Sequence, residues 1–127
     1  MSARAALQAA VVAALKGAGV VAFDAPPVRA ALPHAVVEEA VLADWSTTTW
    51  EGREGRLSIR FLDAGERPVR VRAAIDTGEA AVAAMAAAIG EGWRVVQLRV
   101  VRSRLVRSGE RWVGTSEFLV RMWRDGT

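Results

Sequence analysis

The sequence predicts an α+β fold: an antiparallel, mostly hairpin-built sheet with two helices packed on one face and a long C-terminal β-hairpin. Three observations carry this reading. Apolar residues recur at helical spacing near the N-terminus and again between residues 68 and 89. They alternate with polar residues over 35–45 and 57–61, the pattern of half-buried strands. From Trp93 to Trp123 the chain is rich in β-branched residues, free of Pro, and interrupted by the turn signal Ser108-Gly109-Glu110. The chain has 127 residues, 52% of them hydrophobic, which suits a single domain over 1–127 with a real core.

Ser2 is the expected N-cap of the first helix, whose stripe is Leu7, Val11, Ala14 and Leu15, and Lys16 with Gly17-Ala18-Gly19 ends it. Val20 to Phe23 is an apolar run that fits a short buried strand, stopped by Asp24-Ala25-Pro26-Pro27 because proline has no N–H to give a ladder. After Leu32-Pro33 a strand is expected with Ala35, Val37, Val41, Ala43 and Trp45 on one face, Glu39 being the exception. The segment from Ser46 to Gly55 is polar and Gly-marked, and reads as the long tip of a hairpin. Its second arm places Leu57, Ile59 and Phe61 against Arg56, Ser58 and Arg60.

Pro68 sits where a second helix begins, and Val71, Ile75, Gly78, Val82, Met85 and Ile89 follow at helical steps, giving a helix of about 20 residues. Gly78 inside it costs about 1 kcal/mol relative to Ala, so a kink at Asp76-Thr77-Gly78 is the alternative. Gly90-Glu91-Gly92 is expected to end that helix. An arm from Trp93 to Arg107 would extend about 50 Å, against a radius of gyration of about 14 Å for a chain of this length. The hairpin must therefore bend, bulge or project, and the pairs Val95-Val96 and Val100-Val101, which break alternation, are where a bulge is expected.

Composition excludes several function classes. There is no Cys and one His, so neither a closed thiolate nor a closed imidazole metal site is expected, and no cofactor or metal is assigned. His34 lacks the second basic partner that nucleophilic catalysis needs, and Glu38-Glu39 point to opposite faces of a strand; no catalytic residue is assigned. The pI of about 10.9 exaggerates basicity, because the net charge is only +3 and no Tyr or Cys titrates in between. Ala5 to Leu15 reads as an amphipathic helix rather than a signal peptide, and no run is long enough to cross a membrane.

Two groups remain as candidate interface. Trp50, Glu51, Arg53 and Glu54 sit in the polar tip, where a tryptophan is either an interface anchor or folded back over its own hairpin. Arg94, Arg99, Arg102, Arg104, Arg107 and Arg111 stud the C-terminal hairpin. Simple alternation puts Arg102 and Arg104 on one face and Arg99 and Arg107 on the other, so the charges wrap a ribbon. Arg99, Arg102, Arg104, Arg107 and Arg111 are taken as an assembly contact.

Several segments together carry a family resemblance. They are the Leu7-Gln8-Ala9-Ala10 helix, the turn Val21-Ala22-Phe23-Asp24-Ala25-Pro26-Pro27, and the strand entry Leu32-Pro33-His34-Ala35-Val36-Val37. The tip Asp44-Trp45-Ser46-Thr47 with Gly52-Arg53-Glu54-Gly55 beyond it, and the closing Arg-rich hairpin, complete the set. Taken in order they resemble the tail completion, or tail terminator, proteins of long-tailed phages and of phage-derived gene transfer agents. The resemblance spans nearly the whole chain. It implies a non-enzymatic subunit of a homo-oligomeric, six-fold ring that caps the head-proximal end of the tail tube. Its implied partners are the tail tube protein and the head–tail connector or stopper, with DNA passing through the channel without sequence-specific binding and no membrane involved. The implied location is the bacterial cytoplasm during assembly, then the tail of the released particle. His34 stands where the family is expected to carry an aromatic, and Gly65 to Gly78 looks more strand-like than its second helix. A small basic nucleic-acid-binding module using the Arg-rich hairpin is the alternative function.

Overall fold

Helix α1 runs from Ala3 to Gly17 in the computed structural model, which describes residues 2–126. Its start is the expected one: the Ser2 hydroxyl accepts a hydrogen bond from the Ala5 N–H at 3.1 Å, satisfying one of the free donors of the first turn. Its stripe of Ala3, Ala6, Leu7, Val11 and Leu15 is buried. The strands are β1 (Ala22–Phe23), β2 (His34–Val37), β3 (Val41–Asp44), β4 (Trp50–Ala64), β5 (Ala88–Gly90), β6 (Trp93–Ser108) and β7 (Arg111–Asp125), with helix α2 (Val69–Ala83) between β4 and β5. One sheet takes them all, in the order β1-β2-β4-β7-β6-β5, with β3 pairing with β4 as well.

The fold is α+β, but the sheet is mixed. β1 lies parallel to β2, pairing Ala22 with Ala35 and Phe23 with Val36, and every other pairing is antiparallel. A short apolar run fixes that a strand exists and not which way its neighbour runs. Here the Pro-rich loop from 24 to 33 carries the chain back so that β2 starts beside the start of β1.

The expected strand over 35–45 is two strands. Val37 pairs with Ile59 and Val41 with Arg56, so four steps on one side face three on the other. That extra residue, at Glu38 to Ala40, inverts the alternation beyond it. Val41 is consequently 74% exposed, Leu42 packs against the core, and Trp45, expected on the same face as Val37, lies outside the core cluster. The exception at Glu39 was the trace of this bulge. Glu38 pairs with Arg60 at 3.3 Å and Glu39 with Arg4 at 3.8 Å.

The polar segment Ser46–Gly55 is mostly strand, not loop, because β4 already begins at Trp50. Its glycines give close approach to β3: a Cβ on Gly55 would run into the Val41 carbonyl, and one on Gly52 into the Trp45 carbonyl and the Trp50 ring. With β4 fifteen residues long, the C-terminal hairpin does not project. β7 pairs along its whole length with β4, from Arg111 opposite Ala64 to Asp125 opposite Trp50. The register shifts of β6 fall between Val95 and Gln97 and between Val100 and Arg102, the positions expected for bulges.

Helix α2 is continuous through Gly78 and stops at Ala83; Ile89 belongs to β5, which Gly90 ends, and Glu91-Gly92 is the β5–β6 turn, the three residues having φ of 106°, 55° and 80°. The strand-like look of Val69-Arg70-Val71-Arg72 is overridden by packing, since Val71, Ile75, Gly78 and Val82 form one buried stripe. Gly78 is there for room. A Cβ at this position would lie 2.8 Å from two carbons of the Phe61 ring and 3.1 Å from Leu15 Cδ2. Gly78→Ala gains about 1 kcal/mol of helix propensity, but displacing a buried ring costs about 1–3 kcal/mol. The substitution is expected to lower the denaturation midpoint; a raised midpoint would show that the ring yields freely.

One hydrophobic cluster joins these elements: Leu7, Val11 and Leu15 of α1, Leu57, Ile59 and Phe61 of β4, Val71 and Val82 of α2, and Phe118, Val120 and Met122 of β7. Asp63 is buried beside it and takes two hydrogen bonds from Arg70 of α2, at 2.7 and 3.2 Å. Glu79 of α2 accepts from the hydroxyls of Ser103 on β6 and Ser116 on β7, at 2.7 and 2.6 Å.

Candidate functional site

The long strands have a core face and an opposite face, and register decides what the opposite face carries. On β4, Leu57, Ile59 and Phe61 face the core, so Trp50, Gly52, Glu54, Arg56, Ser58 and Arg60 fall on the other side. Their partners on β7 are Asp125, Trp123, Arg121, Leu119, Glu117 and Thr115. On β6, Arg94 sits opposite Trp123, Arg99 opposite Leu119, Arg102 opposite Glu117 and Arg104 opposite Thr115. All four arginines therefore share this face.

This corrects the expectation from simple alternation, which put Arg99 and Arg102 on opposite sides. The bulge at Val100-Val101 adds one residue between them, and one residue is enough to move a side chain across a sheet. Arg107 alone stays on the other side. Its guanidinium stacks on the Trp112 ring at 4.9 Å and donates to the carbonyls of Gly109 and Glu66, so it braces the hairpin end. Arg111 lies apart, lining an open concavity of about 730 Å³ with Pro26, Pro27, Arg29, His34 and Arg60. His34 is buried there, its ring edge-on to Phe23 at 5.6 Å and its Nδ1 3.1 Å from the Ala31 carbonyl, a packing role.

Carboxylates divide the arginines of this face into two sets. Arg56 pairs with Glu117 at 3.1 Å and Arg121 with Glu54 at 3.0 Å, both across β4 and β7, and Arg60 pairs with Glu38, just past the end of β2, at 3.3 Å. Such exposed cross-strand pairs contribute about 0.2–1 kcal/mol each. Among the described residues, Arg94, Arg99, Arg102 and Arg104 have no ion pair and no side-chain hydrogen bond, and all four are exposed.

The tip residues also separate. Glu51 and Arg53 face the core side, where Glu51 holds Arg124 at 3.3 Å; Arg124 and Arg53 both lie over the buried Trp93 ring, at 4.6 and 5.7 Å. Trp50 and Glu54 face the other way. Trp50 is half-buried, its ring 5.2 Å from Trp45 and 6.2 Å from Trp123, both edge-on. With Val96, which is 54% exposed, these three rings line a small apolar hollow of about 240 Å³, and Arg121 stacks on Trp45 at 5.2 Å. Gly52, directly opposite Trp123, leaves the space the rings occupy. Sequence reasoning missed Trp45, Trp123 and Val96 as members of this patch, because they come from three separate segments and only the pairing of β3, β4, β7 and β6 brings them together.

Among the described residues no helix is long and apolar enough to cross a membrane, and no cluster of three or more His, Asp or Glu could hold a metal ion. The profile of the family described as tail completion protein gp17 matches residues 2–123. A solved structure described as the virion of a native gene transfer agent (GTA) particle contains a chain of the same fold, with a TM-score of 0.70 and 23% identity over 99% of this chain and 100% of that one. No curated protein matches the sequence.

Proposed function

The chain belongs to the tail completion protein gp17 family, a structural protein of a phage-type tail, and from that premise we propose that it closes the tail as a ring. In this reading each chain contributes one domain over 1–127. Six copies form the ring at the head-proximal end of the tail tube. The ring halts tube growth, meets the connector or stopper below the head, and leaves a channel through which DNA passes without sequence-specific recognition. Assembly takes place in the bacterial cytoplasm, and the ring leaves with the phage or gene-transfer-agent particle.

The observation that carries this reading is the sheet face opposite the core cluster. It presents three tryptophans around an apolar hollow at one end. We place both helices on the core side, which leaves that face open to partners. Aromatic rings are among the residues most enriched at protein interfaces. Trp50 and Glu54 are the proposed contacts at the aromatic end. Glu51 and Arg53, on the core side of β4, are the proposed contacts of the tip with the next subunit from that opposite face. The subunit contacts are heterologous, since one face must meet a different surface of the neighbour for a ring to close.

Light scattering and negative-stain images of the purified chain, alone and with tail-tube protein, test the ring. A strictly monomeric mass under both conditions would overturn it. Trp50→Ala is expected to weaken docking to the tube or to the next subunit, while costing the subunit only about 1–2 kcal/mol of stability because the ring is half exposed. A collapse of the melting temperature with docking unchanged would return Trp50 to a purely internal role.

A further inference from the structure

The geometry points to the row Arg94, Arg99, Arg102 and Arg104 as a phosphate-binding strip that takes the backbone of a nucleic acid, not a neighbouring subunit. This deepens the reading of the Arg-rich hairpin as an interface by naming its partner, and it reverses the assembly role that alternation suggested. Opposite Trp123, Leu119, Glu117 and Thr115, the four arginines span eight residue steps of β7, about 27 Å at 3.4 Å per step. Arg99, Arg102 and Arg104 follow one another at steps of about 7 Å, with all side chains on one face. A duplex offers one negative charge per about 1.7 Å of axis, so a strip of this length meets a dense run of phosphates.

Charge complementarity separates the two classes of partner. Seven of the fourteen carboxylates, Glu38, Glu39, Asp44, Glu51, Glu54, Asp63 and Glu117, already hold an arginine. Glu79 is engaged by two serine hydroxyls. The other six, Asp24, Glu66, Asp76, Glu91, Glu110 and Asp125, lie on six different elements or turns, with no acidic row among them. A second copy of this chain therefore has no surface that matches four arginines in line. A phosphodiester backbone does, and it is indifferent to sequence because the strip carries charge and no ring of its own. Guanidinium is suited to the task through its planar donor fork.

The test measures binding of a short mixed-sequence duplex DNA to the full chain by fluorescence anisotropy across a salt series. Four phosphate contacts predict a slope of log K against log salt of about −3.6, which is about 150-fold weaker binding at 200 mM than at 50 mM salt. The variant Arg99→Gln/Arg102→Gln/Arg104→Gln is expected to fall to a slope of about −1. The matched control Arg29→Gln/Arg67→Gln/Arg72→Gln removes three exposed charges from other elements and is expected to keep the steep slope. Equal losses in both triple variants would reduce the effect to net charge and overturn the strip, as would an unchanged slope in the first. Loss of ring mass or tube binding in the first variant, with DNA binding retained, would make the row a protein contact instead. Light scattering of the unmodified chain is independent of these outcomes, so failure of the ring and failure of the strip are distinguishable. Circular dichroism confirms that the variants fold, and the single variant Arg102→Gln is expected to lower the slope by about 0.9.

Discussion

Phe61→Ala is expected to lower the unfolding free energy by about 3–5 kcal/mol, enough to unfold much of the population of a marginally stable domain. Phe61 is 1% exposed and sits in the middle of β4. Two other positions are shaped around its ring and Cβ: a Cβ on Gly78 would meet the ring, and one on Gly114 would lie 3.6 Å from Phe61 Cβ and 2.5 Å from Ile75 Cδ1. Neighbours that are glycine cannot rotate to fill the space left by a lost phenyl group, so the cavity term is expected to fall at the high end. Urea unfolding with an unchanged m-value would measure it. Leu62→Ala, on the opposite face of the same strand and half-buried, is the internal comparison and is expected to cost well under half as much. Equal costs would mean that the two faces of β4 are equally dry, contrary to the burial described above.

Arg70→Met should be the next most damaging change away from the apolar core, at about 2–4 kcal/mol. It leaves the Asp63 carboxylate, whose side chain is 1% exposed, without the two hydrogen bonds that now satisfy it. The cost is held below that of a fully buried pair because the Arg70 side chain is itself 63% exposed and partly screened by water. The double variant Asp63→Leu/Arg70→Met is expected to recover most of the loss, since removing both partners leaves no orphaned charge. If the double variant is as unstable as the single one, the pair has another function than mutual satisfaction. The effect reaches the candidate site through α2. That helix is held to β4 by this pair and to β6 and β7 by Glu79, and β6 carries the arginine strip.

The strip and the tryptophan patch also differ in how each responds to solution conditions. Phosphate contacts weaken steeply with salt, whereas burial of tryptophan rings does not. Ring assembly that survives high salt while DNA binding vanishes would therefore assign the two ends of the face to separate partners.

Local patterns were sufficient for much of this molecule. The Ser2 cap, the stripe of α1, the core triplet Leu57, Ile59 and Phe61, and both bulge positions of β6 are legible because each depends on neighbours within a few residues. The order of segments carried the family as well. What the tertiary structure decided is parity and partnership. A single extra residue at Glu38 to Ala40 turned Val41 outward, and another at Val100-Val101 brought Arg99 onto the face of Arg102 and Arg104. Period two makes every such residue invert all that follows, and a bulge is fixed by the strand opposite, which sequence spacing does not contain. Gly52, Gly55 and Gly78 read as loop or break because their reason lies in residues distant along the chain or across the sheet, where a Cβ has no room. The direction of β1, the end of α2 at Ala83 and the meeting of Trp45, Trp50 and Trp123 were likewise set by packing between segments, the one kind of information that propensity and periodicity do not carry.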